Sequence, residues 1–139
     1  MSNPTFGVGS ISFPVADAVD RFRLVSLGEN GVSHADGSGL VYGAVTEPGS
    51  SAEGDPRSIV AVHRFGVVPV EVDGDVADFV RGSVVSVAGD GKVAVGGSAA
   101  VGVVVGEKGG PTSAASPSGP AWVLVDLRLG LPGAGGSEG

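Results

Sequence analysis

The chain lacks cysteine altogether and has a single Trp and a single Tyr among its 139 residues. Without cysteine it can form no disulfide, no thiolate metal site and no thiol nucleophile. Only two histidines are present, His34 and His63, which excludes a metal site built from three histidine ligands. Stability therefore has to come from packing and from association with other chains.

Basic residues are scarce, with 8 Lys and Arg against 15 Asp and Glu, so the net charge is −7. This balance opposes binding to nucleic-acid phosphates or to anionic lipid. The longest apolar run, Ala99–Val105, is far below the roughly 20 residues that span a bilayer, and the N-terminal residues lack the regions of a signal peptide. We expect no nucleic-acid partner, no membrane segment and a protein that is soluble and intracellular when made.

Glycine, proline and valine are abundant. The 26 Gly and 9 Pro fill about a quarter of the chain, which excludes a helical bundle, and 26 Val against 7 Leu and 2 Ile favour extended backbone. A hydrophobic content of 42% and a mean hydropathy of +0.32 supply the apolar surface that disordered chains lack. An all-β protein with glycine at its turns is the expectation.

The pattern along the chain predicts three parts. Residues 1–20 carry scattered apolar side chains without a sustained period and predict an extended N-terminal arm. Residues 21–129 predict a single β domain, a small barrel or β-sandwich, and residues 130–139 predict a flexible tail. The predicted strands are Arg21–Leu27, Gly39–Val45, Ile59–Phe65, Val67–Val72, Ser83–Val87, Lys92–Val95, Ala99–Val105 and Trp122–Leu129.

Several connections are also predicted. Asp90 and its glycine neighbours between Ser83–Val87 and Lys92–Val95 indicate a hairpin, and Ile59–Val72 indicates a strand pair or one bent strand. Val76–Val80 could form a single helical turn, and Gly106–Pro120 indicates a flexible loop.

The residues that could carry chemistry are few. His34 lies between Ser33 and Asp36, but three such side chains in one stretch do not make a catalytic triad, and a polar turn is the preferred interpretation. The acidic stretch of Glu71, Asp73, Asp75 and Asp78 could bind calcium, although its spacing is not that of an EF-hand loop and a solvated turn is preferred. We therefore predict no metal, no cofactor and no enzymatic activity.

From Gly66 onward the order of segments resembles a known family. GVVPVEV is followed by VRGSVVSV, then by GDGKVAV, AAVGVVVGE and WVLVDL. This order is similar to that of the small decoration proteins of tailed-phage heads, and the likeness covers roughly Arg21 to Arg128. Arg81-Gly82-Ser83, where Gly-Asp is usual in the family, and the long Gly106–Pro120 loop depart from its pattern.

The resemblance implies a non-enzymatic cement protein on the outer surface of an assembled head, commonly a homotrimer, bound to the major capsid protein and made in the host cytoplasm. The arm has no visible partner in its own chain, so its apolar residues are the capsid-contact candidates: Phe6, Val8, Ile11, Phe13 and Val15. The alternative is a small prosthetic-group carrier or ligand-binding β-barrel. A carrier needs a lysine at a hairpin tip, and Lys92 is the only lysine near one.

Overall fold

The computed structural model describes residues 10–36, 40–52, 54–97, 99–109 and 121–129. Within them lie ten strands and three single-turn 3₁₀ helices, Pro56–Ser58, Val76–Asp78 and Gly89–Gly91. The strands are β1 Ser10–Pro14, β2 Arg23–Gly28, β3 Gly31–His34, β4 Gly43–Val45, β5 Ile59–His63, β6 Phe65–Glu71, β7 Val84–Val87, β8 Val93–Val95, β9 Ala100–Gly109 and β10 Trp122–Arg128. The predicted all-β, sandwich-like class is confirmed.

The first sheet is antiparallel and has the strand order β1-β5-β4-β2-β3. Its two end strands also meet, because Val15 directly after β1 forms a bridge with Val32 of β3. A sheet whose end strands meet curls on itself and encloses one face. That face holds a small core of Val15, Val19, Val25, Val32, Val45, Val60 and Val62.

The second sheet is antiparallel and has the order β6-β10-β9-β7-β8. A bridge between Val72 and Val93 joins its end strands in the same way. The predicted hairpin is present, since β7 and β8 pair with Val85 opposite Val95 and Val87 opposite Val93. The single helical turn is also present at Val76–Asp78.

The larger core lies inside the second sheet and extends to the first. Buried valines of β6, β7, β9 and β10 form it together with Phe79, and Leu24, Ala35 and Ala44 pack against them from the first sheet. Successive residues of a strand point to opposite faces, so β2 places Leu24 in this core and Val25 in the smaller one. Strand β2 thereby holds the two cores together.

The chain passes from one sheet to the other at Arg64. Strand β5 belongs to the first sheet and β6 to the second, so they do not form the strand pair that was one of the two predictions for Ile59–Val72. The other prediction, one bent strand, is closer to what is found. Gly66 adopts φ +89°, a conformation that glycine takes without strain, just after the change of sheet.

The predicted arm needs correction over residues 10–20. Ser10–Pro14 forms β1, which pairs along its whole length with β5, and Val19 bridges Gly49. These residues therefore belong to the β domain. The sequence did not predict this pairing because β1 and β5 lie far apart in the chain. The local pattern of residues does not show which distant strands pair. Residues 1–9 lie outside the described residues.

Other boundaries differ by a few residues. Strand β9 continues to Gly109, so it takes in the first residues of the predicted Gly106–Pro120 loop. Strand β3 was not predicted, and β2 and β3 pair around a tight turn with Gly28 opposite Gly31. Residues 110–120 and the predicted tail, residues 130–139, lie outside the described residues.

Candidate functional site

A buried cluster of charged side chains lies where the two sheets meet, with Arg23 at its centre. Arg23 is only 7% exposed. Its Nε and Nη2 both lie 2.9 Å from Glu71 Oε1, and its Nη1 donates to the backbone oxygen of Asp90 at 3.0 Å. Arg23 also contacts Asp90 Oδ2 at 3.2 Å and Asp20 Oδ2 at 3.5 Å. One guanidinium thus connects β2 of the first sheet with β6 and the β7–β8 turn of the second.

The backbone brings these partners together. Phe22, the residue before Arg23, accepts a hydrogen bond from the backbone N–H of Glu71 at 2.7 Å and donates to Val45. Phe22 holds φ +62°, a rare conformation for an aromatic residue that persists only where its surroundings enforce it. Its ring meets Trp122 edge-on, and the Arg21 guanidinium lies over the same ring, 4.8 Å from its centroid.

The turn of the β7–β8 hairpin docks against the first sheet. The backbone N–H of Gly91 donates to the oxygen of Ala35 at 2.7 Å. A Cβ at Gly91 would lie 2.5 Å from the backbone oxygen of Leu24, and φ there is +74°. Only glycine fits this close approach. The glycines that were predicted to allow a tight turn therefore also let this turn pack closely against the first sheet.

His34 completes the cluster through two hydrogen bonds. The backbone N–H of Asp20 donates to its Nε2 at 2.9 Å, so Nε2 carries no proton and Nδ1 donates to Asp90 Oδ1 at 2.8 Å. The hydrogen bond from His34, helped by the charge of Arg23, lowers the pKa of Asp90 below its ordinary value of 3.8.

An Asp–His pair is two thirds of a hydrolytic triad, but this one is not arranged for catalysis. The nitrogen that would take a proton from a nucleophile, Nε2, already accepts the Asp20 N–H. His34 is therefore a structural residue. The sequence placed it in a polar turn, whereas it lies in strand β3.

The acidic stretch is divided by the fold. Glu71 is buried and paired with Arg23 and, through Oε2, with Lys92 Nζ at 3.3 Å. Asp75 accepts from the backbone N–H of Ala77 at 3.0 Å and caps the Val76–Asp78 turn. In the described part of the chain no group of acidic or histidine side chains is arranged to hold a metal ion.

The carrier alternative depends on Lys92. Carrier lysines project freely from a hairpin tip, whereas Lys92 lies after the turn and its ammonium is paired with the buried Glu71 carboxylate. This arrangement does not favour a modifiable lysine.

The capsid-contact candidates lie in different places. Phe6 and Val8 fall outside the described residues. Phe13 packs edge-on against Tyr42 with ring centroids 5.3 Å apart, Val15 is buried in the smaller core, and Ile11 is half-buried. Val15 therefore has its side chain committed to its own fold. The apolar side chains that the described residues do expose lie elsewhere. Four are on strands of the second sheet, one follows the Val76–Asp78 turn, and three are in or near the first sheet: Phe65, Val67, Val84 and Val95, then Val80, then Leu27, Leu40 and Ile59.

Sequence reasoning missed both the Arg23 cluster and this exposed surface. The cluster joins residues 48 and 67 positions apart, and only the presence of Arg23 on the same strand face as Val25 hinted at a buried ion pair. No helix among the described residues is long and apolar enough to span a membrane.

Comparison with solved structures identifies the fold. The N base of head fiber gp8.5 of bacteriophage phi29 superimposes with a TM-score of 0.57 at 16% identity, over 88% of this chain and 98% of that one. The C-terminal fragment of gene product 12 of the same phage gives a TM-score of 0.60 at 14% identity, over 86% and 99%. The chain shares its fold with these two phage proteins. No protein-family model and no curated protein sequence matches it.

Proposed function

We propose that this chain is a non-enzymatic decoration protein of a phage head. It would bind the outer surface of the assembled head through the major capsid protein, act there as a cement, and be carried in the virion after synthesis in the host cytoplasm. The observation that carries the proposal is the likeness to the phi29 head fiber base, which extends over nearly the whole of both chains.

Two further features support this proposal. The chain carries a net charge of −7, which suits a protein that sits outside a capsid rather than on the nucleic acid within it. Phe65, Val67 and Val84 of the second sheet are large apolar side chains open to solvent, and exposed apolar surface of that kind marks contact with other proteins. A homotrimer is part of the proposal, because a small acidic β domain gains stability by burying such surface.

The test is co-sedimentation. Purified protein is mixed with expanded, assembled heads of the phage that encodes it, and in parallel with free capsid subunits. We expect saturable binding to the heads and none to the subunits, since a cement protein recognises a surface that exists only after assembly. Binding to both, or to neither, would show that the chain is not a decoration protein.

The cement role has a separate readout. Heads that lack the protein are heated with and without added protein, and release of their DNA is followed by dye fluorescence. Added protein should raise the release temperature. Binding without any such rise would leave a decoration role but remove the stabilising one.

A further inference from the structure

The two sheets repeat one arrangement of strands. The order β1-β5-β4-β2-β3 of the first sheet becomes the order β6-β10-β9-β7-β8 of the second when each strand is replaced by the strand five places later. We name β1–β5 the first unit and β6–β10 the second unit. Two backbone hydrogen bonds at the junction of the end strands also repeat: Val15 to Ser58 and Ala16 to Val32 in the first unit, and Val72 to Ala121 and Asp73 to Val93 in the second. The chain therefore contains the same β unit twice.

Backbone hydrogen bonds identify equivalent positions in the two units. The N–H of Phe22 donates to the oxygen of Val45 at 2.9 Å, and the N–H of Gly82 donates to the oxygen of Val104 at 2.8 Å. Both donors hold a positive φ, +62° at Phe22 and +91° at Gly82. Phe22 and Gly82 are therefore equivalent, although only one of them is the glycine that such a φ favours.

The next strand position corresponds in the same way. Leu24 accepts a backbone hydrogen bond from Ala35 at 2.9 Å, and Val84 accepts one from Gly96 at 3.2 Å. Leu24 and Val84 are therefore equivalent. Each lies two residues after the positive-φ residue of its unit, which makes the residues between them equivalent too: Arg23 and Ser83.

Strand pairing adds one more equivalent pair. His34 lies opposite Val25 where β2 pairs with β3, and Val95 lies opposite Val85 where β7 pairs with β8. His34 is the last residue of β3, and Val95 is the last residue of β8. His34 and Val95 are therefore equivalent.

In the first unit these positions form the contact with the second unit. Leu24 is fully buried in the larger core, which is made mostly of second-unit residues. Arg23 contacts Glu71 at 2.9 Å and His34 contacts Asp90 at 2.8 Å, and both carboxylates belong to the second unit. Leu24 and His34 belong to opposite faces of the first sheet, but His34 ends its strand, so both reach the second unit. This part of the β unit is therefore a contact surface.

In the second unit the equivalent positions are open to solvent. Val84 is 52% exposed, whereas its equivalent Leu24 is completely buried, and Val95 is 46% exposed. Packing of this kind uses different surfaces on two similar units, so it leaves the contact surface of the last unit uncovered. We name Ser83, Val84 and Val95 the second-unit contact surface.

We propose that the second-unit contact surface is where this chain docks on the assembled head, and that its occupant is a turn or strand end of the major capsid protein with apolar side chains. The inference rests on the proposed function and adds to it the surface that makes the contact. A turn or strand end fits because the second unit meets the equivalent surface of the first with the end of β6 and the β7–β8 turn.

The chemistry of the occupant follows from the difference between the units. Arg23 and His34 meet carboxylates, whereas Ser83 and Val95 carry no charge. A carboxylate placed against them would be buried without a counter-charge, which is unfavourable, so the occupant has to be apolar.

A second copy of this chain is a poorer occupant. It would offer the β2–β3 turn of its first unit, the equivalent of the β7–β8 turn, to the second-unit contact surface. That turn carries Glu29 and Asn30, which are both polar and exposed. Docking would place the Glu29 carboxylate against uncharged side chains.

The test measures binding of full-length variants to assembled heads by co-sedimentation. Val84→Glu and Val95→Glu should each weaken binding at least about tenfold, because the contact would bury an unpaired carboxylate. Val67→Glu is the matched control, since Val67 is also a valine of the second sheet, 51% exposed, and its equivalent Ser10 is exposed in the first unit. Thermal unfolding confirms that each variant is folded. If a Glu variant unfolds, Thr at the same position keeps the branched shape and should still weaken binding.

The outcomes separate this inference from the proposed function. A wild type that does not bind heads contradicts both. A wild type that binds, together with undiminished binding by Val84→Glu and Val95→Glu or an equal loss in Val67→Glu, overturns this inference and leaves the decoration role standing.

Ser83→Arg tests the chemistry of the occupant. It gives the second unit the guanidinium that the first unit has at Arg23. Against an apolar occupant the added charge would be buried without a partner, so binding to heads should weaken. Tighter binding would mean that the occupant presents a carboxylate, and it would overturn the apolar assignment.

Discussion

Arg23 shows how one residue can determine the arrangement of two sheets. A guanidinium with five donors can bind several acceptors at once, and here it contacts Glu71, Asp90 and Asp20 on separate segments. A buried ion pair of this kind adds little net stability compared with an apolar pair, but breaking it by removing one partner is costly. Its main effect is therefore to specify which parts of the two sheets meet.

Replacing Arg23 with Met should destabilise the fold by about 3 kcal/mol, because among the described residues Glu71 would keep only Lys92 as a counter-charge while it remains buried. Urea denaturation measures this loss. The double variant Arg23→Met/Glu71→Gln should recover part of it. Arg57→Ala, which removes an exposed pair with Asp55, should cost less than about 0.5 kcal/mol. A double variant as unstable as Arg23→Met alone would contradict the ion-pair explanation.

Asp90 gives the cluster a defined pH dependence. Its pKa in the folded protein lies below the ordinary value of 3.8, chiefly because His34 donates to it, so folding favours the ionised form. Its contribution to stability is therefore complete above about pH 4 and is lost as the pH falls through the lowered pKa.

Asp90→Asn should reduce the loss of stability at low pH, measured by denaturation curves recorded between pH 2 and pH 6. Asparagine tolerates the φ of +63° at this position, so the backbone is not strained by the change. The exposed Asp78→Asn, outside the cluster, is the control. If the two variants lose the same amount of stability at low pH, the stabilising contact of Asp90 with His34 does not exist in solution.

At the scale of elements, the sequence predicted what depends on local pattern. Three elements were found close to their predicted positions: the β7–β8 hairpin, the turn at Val76–Asp78 and the closing strand β10. Alternating apolar residues and glycine-containing turns mark the limits of these elements in the local sequence. Strand β1 and the change of sheet at Arg64 were missed because both depend on partners distant in sequence. The Arg23 cluster was missed for the same reason.

Gly91 tests whether the hairpin turn docks as described. Gly91→Ala should destabilise the protein by about 2 kcal/mol or more, since its Cβ would approach the Leu24 oxygen to 2.5 Å and its φ of +74° strains any side chain. Gly89→Ala, whose Cβ would have no neighbour within 4 Å, should cost no more than about 0.5 kcal/mol. Thermal unfolding compares the two, and equal losses would mean that the turn does not pack against the first sheet.

At the scale of the whole molecule, the fold divides the segment that was predicted to be an arm into two parts. Residues 10–20 complete the first sheet and its core, so they stabilise the protein itself. Phe6 and Val8 lie before this strand and outside the described residues, and for them capsid contact stays a prediction.

Two deletions separate these roles. Removing residues 2–14 deletes β1, leaves β5 without one of its partner strands and removes the ring contact of Phe13 with Tyr42, so stability should fall by several kcal/mol. Removing residues 2–9 leaves β1 intact, so the unfolding free energy should change by less than about 0.5 kcal/mol, while binding to assembled heads should weaken. Denaturation and co-sedimentation measure the two effects on the same preparations. Undiminished head binding by the shorter deletion would show that Phe6 and Val8 do not contact the capsid, and the contact would then have to lie on the β domain.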